Sequence, residues 1–256
     1  MAKTISDAIR ELCLRFPDTE EVLSHGHANF KVAGRVFATF TINHHGDGRV
    51  ALNVCSPPGA QQLHTETEPE YYFVPPYVGP KGWLGIELNQ GLDWDTIARH
   101  MRLAWERIAP ATLVQSLAET PSIEPPDMEM TAQDINPLLR PRAMELLIKL
   151  KCLCDEFPET SETLQFGNPT WKAGRKSFVS CHCYGGRVCL QFWVGVDQQT
   201  MLTYDNRYRI PAYMGHNGWI DLDVQEHADW GEIECLLENS YRHFALKRML
   251  RQLDES

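Results

Sequence analysis

The sequence predicts an α+β protein made of two tandem copies of one domain, each an antiparallel sheet flanked by an N-terminal and a C-terminal helix. Three observations carry this. The block Phe16-Pro17-Asp18-Thr19 returns as Phe157-Pro158-Glu159-Thr160, an offset of 141 residues. The block Pro75-x-Tyr77-x-Gly79-x-x-Gly82-Trp83 returns as Pro211-x-Tyr213-x-Gly215-x-x-Gly218-Trp219, now at 136. Between them Gly48-Arg49-Val50 matches Gly186-Arg187-Val188 at 138, so the lost residues fall in loops, as a duplication requires.

Each copy opens on an amphipathic helix. Ile5, Ala8, Ile9, Leu12, Cys13 and Phe16 form one stripe, and Leu146, Leu147, Leu150, Leu153, Cys154 and Phe157 form the other. Pro17 and Pro158 stop these helices. Strands are predicted over 30–32, 36–42 and 50–55, and over 170–172, 178–184 and 188–194. Gly46-Asp47-Gly48 and Gly185-Gly186 mark hairpins between them. A short helix follows (59–67; 197–204), then a strand (83–88; 219–222). The last helix starts at Asp93 or Asp229, both suited to an N-cap, and Glu232 adds the pattern of a capping box. Its buried stripe is Trp94, Ile97, Met101, Trp105 and Ile108, echoed by Trp230, Ile233, Leu237, Tyr241 and Phe244. The predicted domains are therefore 1–117 and 137–256, joined by 118–136, a solvated, acidic, proline-containing linker.

At 256 residues and 43% hydrophobic, the chain can bury two cores. No apolar run approaches the ~20 residues that cross a bilayer, and Met1 to Arg10 show no secretory pattern. A cytoplasmic protein without membrane contact is expected. The formal net charge is −10, of which the linker holds −5 and the two copies −3 and −2. Neither copy is basic overall, which argues against strong non-specific attraction to nucleic acid. The eight cysteines lack the spacing of structural zinc sites and read as reduced, mostly buried thiols.

Phe30-Lys31-Val32-Ala33-Gly34-Arg35-Val36-Phe37-Ala38 resembles the F-K-V-x-G-K-x-F-A segment of the YjbR/MmcQ family. The Pro75 to Gly85 block followed by Asp93-Trp94 resembles that family's C-terminal signature. The second copy is similar but degenerate. The resemblance, to what are also called DUF419-like proteins, implies a helix-flanked antiparallel sheet related to type III secretion chaperones. It also implies DNA binding through protruding hairpins, a double-wing arrangement.

Titratable residues shared by both copies are Glu21/Glu162, Lys31/Lys172, Arg49/Arg187, Tyr77/Tyr213 and Asp93/Asp229, plus the pair Cys13/Cys154. Glu21 with Lys31 reads as a surface salt bridge before an acid–base pair. His25, His27, His44, His45 and His64 do not recur and read as solvated loop residues. No catalytic residue, cofactor or metal site is expected.

Two candidate surfaces remain. Lys31, Arg35 and Arg49, with Lys172, Arg175, Lys176 and Arg187, read as grouped around one hairpin in each copy, either as phosphate-binding wings or as a solvated polar face. Tyr77, Lys81 and Trp83, with Tyr213, His216 and Trp219, read as core rings under the last helix or as an open aromatic pocket. The expectation is a non-enzymatic binding protein, most specifically one that holds double-stranded DNA on basic hairpin wings. A small-molecule-sequestering or protein-interaction, chaperone-like module is the alternative.

Overall fold

The computed structural model describes residues 2–24 and 26–255. It divides into two compact units, residues 1–135 and 136–256. The first runs α1 (Ile5–Leu14), β1 (Thr19–Ser24), β2 (His27–Val32), β3 (Arg35–Ile42), β4 (Val50–Val54), α2 (Ala60–Thr67), β5 (Tyr72–Phe73), β6 (Leu84–Glu87), α3 (Trp94–Glu106), α4 (Ala111–Ser116) and α5 (Ala132–Ile135). The second runs α6 (Pro141–Asp155), β7 (Thr160–Gln165), β8 (Asn168–Ala173), β9 (Lys176–Tyr184), β10 (Arg187–Trp193), α7 (Val196–Leu202), β11 (Tyr208–Arg209), β12 (Trp219–Asp223), α8 (Trp230–Phe244) and α9 (Lys247–Glu255).

Each unit is one six-stranded antiparallel sheet. The orders, β1-β2-β3-β4-β6-β5 and β7-β8-β9-β10-β12-β11, are the same topology. One face of each sheet meets the helices. Phe40, Leu52 and Ile86 lie side by side in register on that face, with Ile9, Leu12, Ile97, Met101 and Trp105 in the same core. The second core repeats the plan with Leu190, Ile220, Leu150, Ile233, Leu237 and Tyr241. Trp105 and Tyr241, equivalent positions on the last helices, reach the equivalent carbonyl: Trp105 Nε1 donates to Pro17 O at 3.2 Å, and Tyr241 Oη donates to Pro158 O at 2.6 Å. Each proline that ends a first helix thus also anchors a last helix.

The amphipathic stripes and the N-caps are found as expected. Asp93 accepts from the Thr96 amide at 3.0 Å, and Asp229 from those of Gly231 and Glu232. The capping box does not close at Glu232. That carboxylate instead receives Arg207 and the Tyr208 hydroxyl. Strands β1, β7, β5 and β11 were not anticipated. β1 and β7 are edge strands with one ladder partner and mixed exposure, so they lack a period-2 apolar pattern; β5 and β11 are two residues long.

The stretch expected to be a solvated linker behaves otherwise. Up to Ile135 it belongs to the first unit, with Ile123, Met130 and Ile135 packed on that core. Asn89 and Met130 exchange two hydrogen bonds of 2.9 and 2.7 Å, and the Asp127 amide donates to Lys3 O at 3.0 Å. Three apolar residues five to seven apart in an acidic stretch carry no helical or strand period, which is why composition alone misreads them.

Candidate nucleic-acid interface

The tight turn between β2 and β3 is Ala33-Gly34, both residues left-handed (φ 50° and 71°). Its counterpart, Gly174-Arg175, needs positive φ only at Gly174 (60°), so the second position can carry a long side chain. Lys31 and Arg35 flank the first turn; Lys172 and Lys176 flank the second. Arg35, Arg175 and Lys176 are exposed, Lys31 and Lys172 half-buried. None of the five takes part in an ion pair among the described residues.

Arg49 and Arg187 are not part of either wing. Arg187 begins β10 opposite Tyr184, and Arg49 immediately precedes β4, beside the Val50–Ile42 pair, so both lie at the far end of β9 and β3. A strand of eight or nine residues separates the two ends by roughly 25 Å. Both arginines have an internal partner as well: Arg49 meets Glu87 at 3.8 Å and lies 4.2 Å over Phe73, while Arg187 pairs with Asp223. Glu87 and Asp223 are homologous at offset 136, so this ion pair is a shared structural feature. The expected grouping of seven cations around one hairpin is thereby corrected.

Glu21 and Lys31 do not pair either. In register Lys31 faces Glu20, which puts Glu21 on the opposite side of the ladder. There it takes Arg10 bidentately at 2.6 and 2.9 Å, as Glu162 takes Lys151 at 3.1 Å. The sequence hid this pair because its cation is arginine in one copy and lysine in the other.

The rings of the aromatic signature divide between solvent and the last helix. Tyr77 and Tyr213 project outward, 68% and 66% exposed, whereas Trp219 is buried and stacks on Phe244 of α8 at 5.5 Å. Trp83 is half-buried, and Lys81 and His216 are exposed. A glutamine absent from the sequence reading holds this loop. Gln61 Nε2 donates to Gly79 O and Trp83 O at 2.8 and 2.5 Å, and Gln199 Nε2 to Gly215 O and Trp219 O at 2.8 and 2.7 Å. Both lie at offset 138, the only signal that could have found them. The glycines have different reasons: Val74 and Ile210 fill the space a side chain on Gly79 or Gly215 would need, whereas Gly82 and Gly218 adopt φ of 79° and 88°.

A groove of about 500 Å³ along α1 is lined by Lys3, Glu11, Arg15 and residues 122–124. Its charges already satisfy one another, Lys3 Nζ meeting Glu11 at 2.7 Å and Glu124 O at 2.5 Å. His27, His44, His45 and Tyr77 form a ring cluster, with Tyr77 Oη 3.0 Å from His45 Nε2; burial lowers the His44 pKa. His25 lies outside the described residues. All eight cysteines are free thiols, and burial raises the pKa of Cys13, Cys154, Cys181, Cys183 and Cys189, away from reactive thiolate.

The same wing, loop and capping helix in each unit are matched by one family model. The YjbR model covers residues 14–107 and again residues 155–243. The chain belongs to the YjbR family. Among solved structures, the Deinococcus radiodurans protein DR2400, described as a DUF419 domain, is similar: 17% identity over 42% of this chain and 87% of that one, with a TM-score of 0.36. No curated protein matches. No helix among the described residues is long and apolar enough to cross a membrane.

The two YjbR repeats differ on the sheet face away from the helices. In register, one row reads Asn29, Thr39, Asn53, Gly85, Phe73 in the first repeat and Thr170, Ser180, Gln191, Asp221, Arg209 in the second. Asp221, 1% exposed, pairs with Arg209 and accepts from Gln191 Nε2 at 2.7 Å, with His182 Nε2 at 3.5 Å. Arg209 in turn lies 3.4 Å over Tyr184. In the first repeat the Phe73 ring sits where a Cβ on Gly85 would be, 2.5 to 2.6 Å away. Asn53, the counterpart of Gln191, keeps a buried Oδ1 with no partner among the described residues.

Proposed function

We propose that this YjbR-family chain is a binding protein that holds the phosphate backbone of double-stranded DNA with the β8–β9 wing. The observation that supports the reading is the wing's unneutralised charge. Lys172, Arg175 and Lys176 surround a two-residue turn, and none meets a carboxylate, although acidic residues outnumber basic ones in the chain by 34 to 24. Other exposed arginines of the same repeat, Arg187, Arg242 and Arg248, each meet a carboxylate. Three such groups at the tip of a rigid hairpin fit phosphates at neighbouring positions along a groove; base readout would fall to other residues.

Fluorescence anisotropy of a labelled ~25-bp duplex tests this. The expected result is saturable binding at low salt that weakens steeply as salt rises, because the attraction comes from counterion release. The combined substitution Lys172→Ala, Arg175→Ala and Lys176→Ala should weaken binding at least about tenfold and flatten the salt dependence. Absence of any binding at 25 mM salt, as an order-of-magnitude lower limit, overturns the reading.

A further inference from the structure

We infer that the anion-binding surface belongs to the second repeat alone and extends from the wing onto α9, so the protein engages nucleic acid with one wing rather than two. This rests on the reading above and adds to it where the site ends and which copy carries it.

Helix α9 is placed against the wing. The Met249 Sδ lies 3.8 Å from where a Cβ on Gly174 would stand, and Met249 is fully buried. One residue earlier, Arg248 takes Glu159 with bonds of 2.9 and 2.5 Å, and Glu159 O receives the Gly174 amide at 3.2 Å. The turn, Glu159 and α9 are thus one assembly. Lys247 and Arg251, one helical turn apart, are exposed and take part in no ion pair among the described residues. Of the neighbouring carboxylates, Glu159 is engaged by Arg248 and Asp254 by Arg242. Lys172, Arg175 and Lys176 on the wing, and Lys247 and Arg251 on the helix packed against it, thus take part in no ion pair among the described residues.

The first repeat supplies the contrast. At offset 136, α4 is the counterpart of α9, and Leu113 stands in the place of Met249. Where α9 has Lys247, Arg248 and Arg251, α4 has Ala111, Thr112 and Gln115. Where the second wing has Arg175, the first has Gly34. Where Lys172 faces Ser161 across the ladder, Lys31 faces Glu20. Each of these differences leaves the first wing less positive than the second.

The test uses the full chain and the same labelled duplex across a salt series. Five phosphate contacts predict a slope of log K against log salt of about −4.5. The pair Lys247→Ala and Arg251→Ala should make that slope shallower by about 2, while Lys31→Ala and Arg35→Ala should leave affinity within about twofold. All these side chains are surface groups, and unchanged circular dichroism confirms folding of each variant. Loss of affinity from the Lys31/Arg35 pair equal to that from the wing triple, or no effect of the α9 pair, overturns this inference while the function stands. Failure of the unaltered chain to bind overturns both.

Discussion

Substituting Arg209→Phe should destabilise the second unit by about 3 kcal/mol, and adding Asp221→Gly should restore most of that loss. The single change leaves a carboxylate that is 1% exposed with only Gln191 and a more distant His182 for partners. Removing one member of a buried ion pair costs about 3–5 kcal/mol, because the other charge stays desolvated and unpaired. The lower figure applies here, since the Arg209 side chain is 35% exposed and water can follow it in. The double variant installs the first repeat's own solution, Phe73 packed on Gly85 with an arginine above it. Arg187, the counterpart of Arg49, is in place to cover the new ring. Hydrogen exchange at the Leu190 and Phe192 amides reads the second unit specifically. A double variant as unstable as the single one would show that the two rows are not interchangeable. The reverse graft is not neutral in its parts: Gly85→Asp alone drives a side chain into the Phe73 ring and should unfold the first unit's edge.

This swap explains what was legible in the sequence and what was not. The duplication, the core stripes, the hairpins and Asp93 and Asp229 all follow local periodicity or local capping chemistry. They could be read from spacing. The shared pairs Arg49–Glu87 and Arg187–Asp223 join residues 38 and 36 positions apart, and their acids differ in type between copies. Only strand register brings them together. The grouping of Arg49 with Lys31 failed for the same reason: proximity along the chain across a hairpin strand is distance in space. Tyr77 and Tyr213 were misplaced because a recurring aromatic is usually buried, and nothing in their spacing distinguishes a loop tip from a core. Gln61 and Gln199 were invisible because a side-chain amide on two carbonyls leaves no pattern beyond the repeat itself.

Acidification should unfold the first unit before the second, with His100 as the main cause. The ring is 8% exposed, its Nε2 lies 2.9 Å from the Tyr72 hydroxyl, and His64 stacks edge-on at 4.8 Å. Burial first, then the His64 and Arg99 charges, pushes its pKa down to about 4 from the ordinary 6.5. The groups facing it are Tyr72, pushed up to about 12 by burial, with His64, Arg99 and, beside His64, Glu68. A histidine whose folded pKa lies below its unfolded value is held neutral by the fold. The stability this provides is complete above pH 6.5 and is lost as pH falls from 6.5 toward 4, because the unfolded chain takes up the proton first. The full loss is about 3 kcal/mol, of which about 2 kcal/mol is gone by pH 5. The second repeat again supplies the control, with Leu236 in the place of His100 and Tyr208 bonded to Glu232 at 2.7 Å. Urea unfolding at pH 7 and pH 5 should show a drop about 2 kcal/mol smaller in a His100→Leu, Tyr72→Phe variant than in the unaltered chain. Any fixed cost of the substitutions cancels in that difference. An equal drop in both proteins would mean that His100 opens to water in the native state and that the Tyr72–His100 contact is not what holds it neutral.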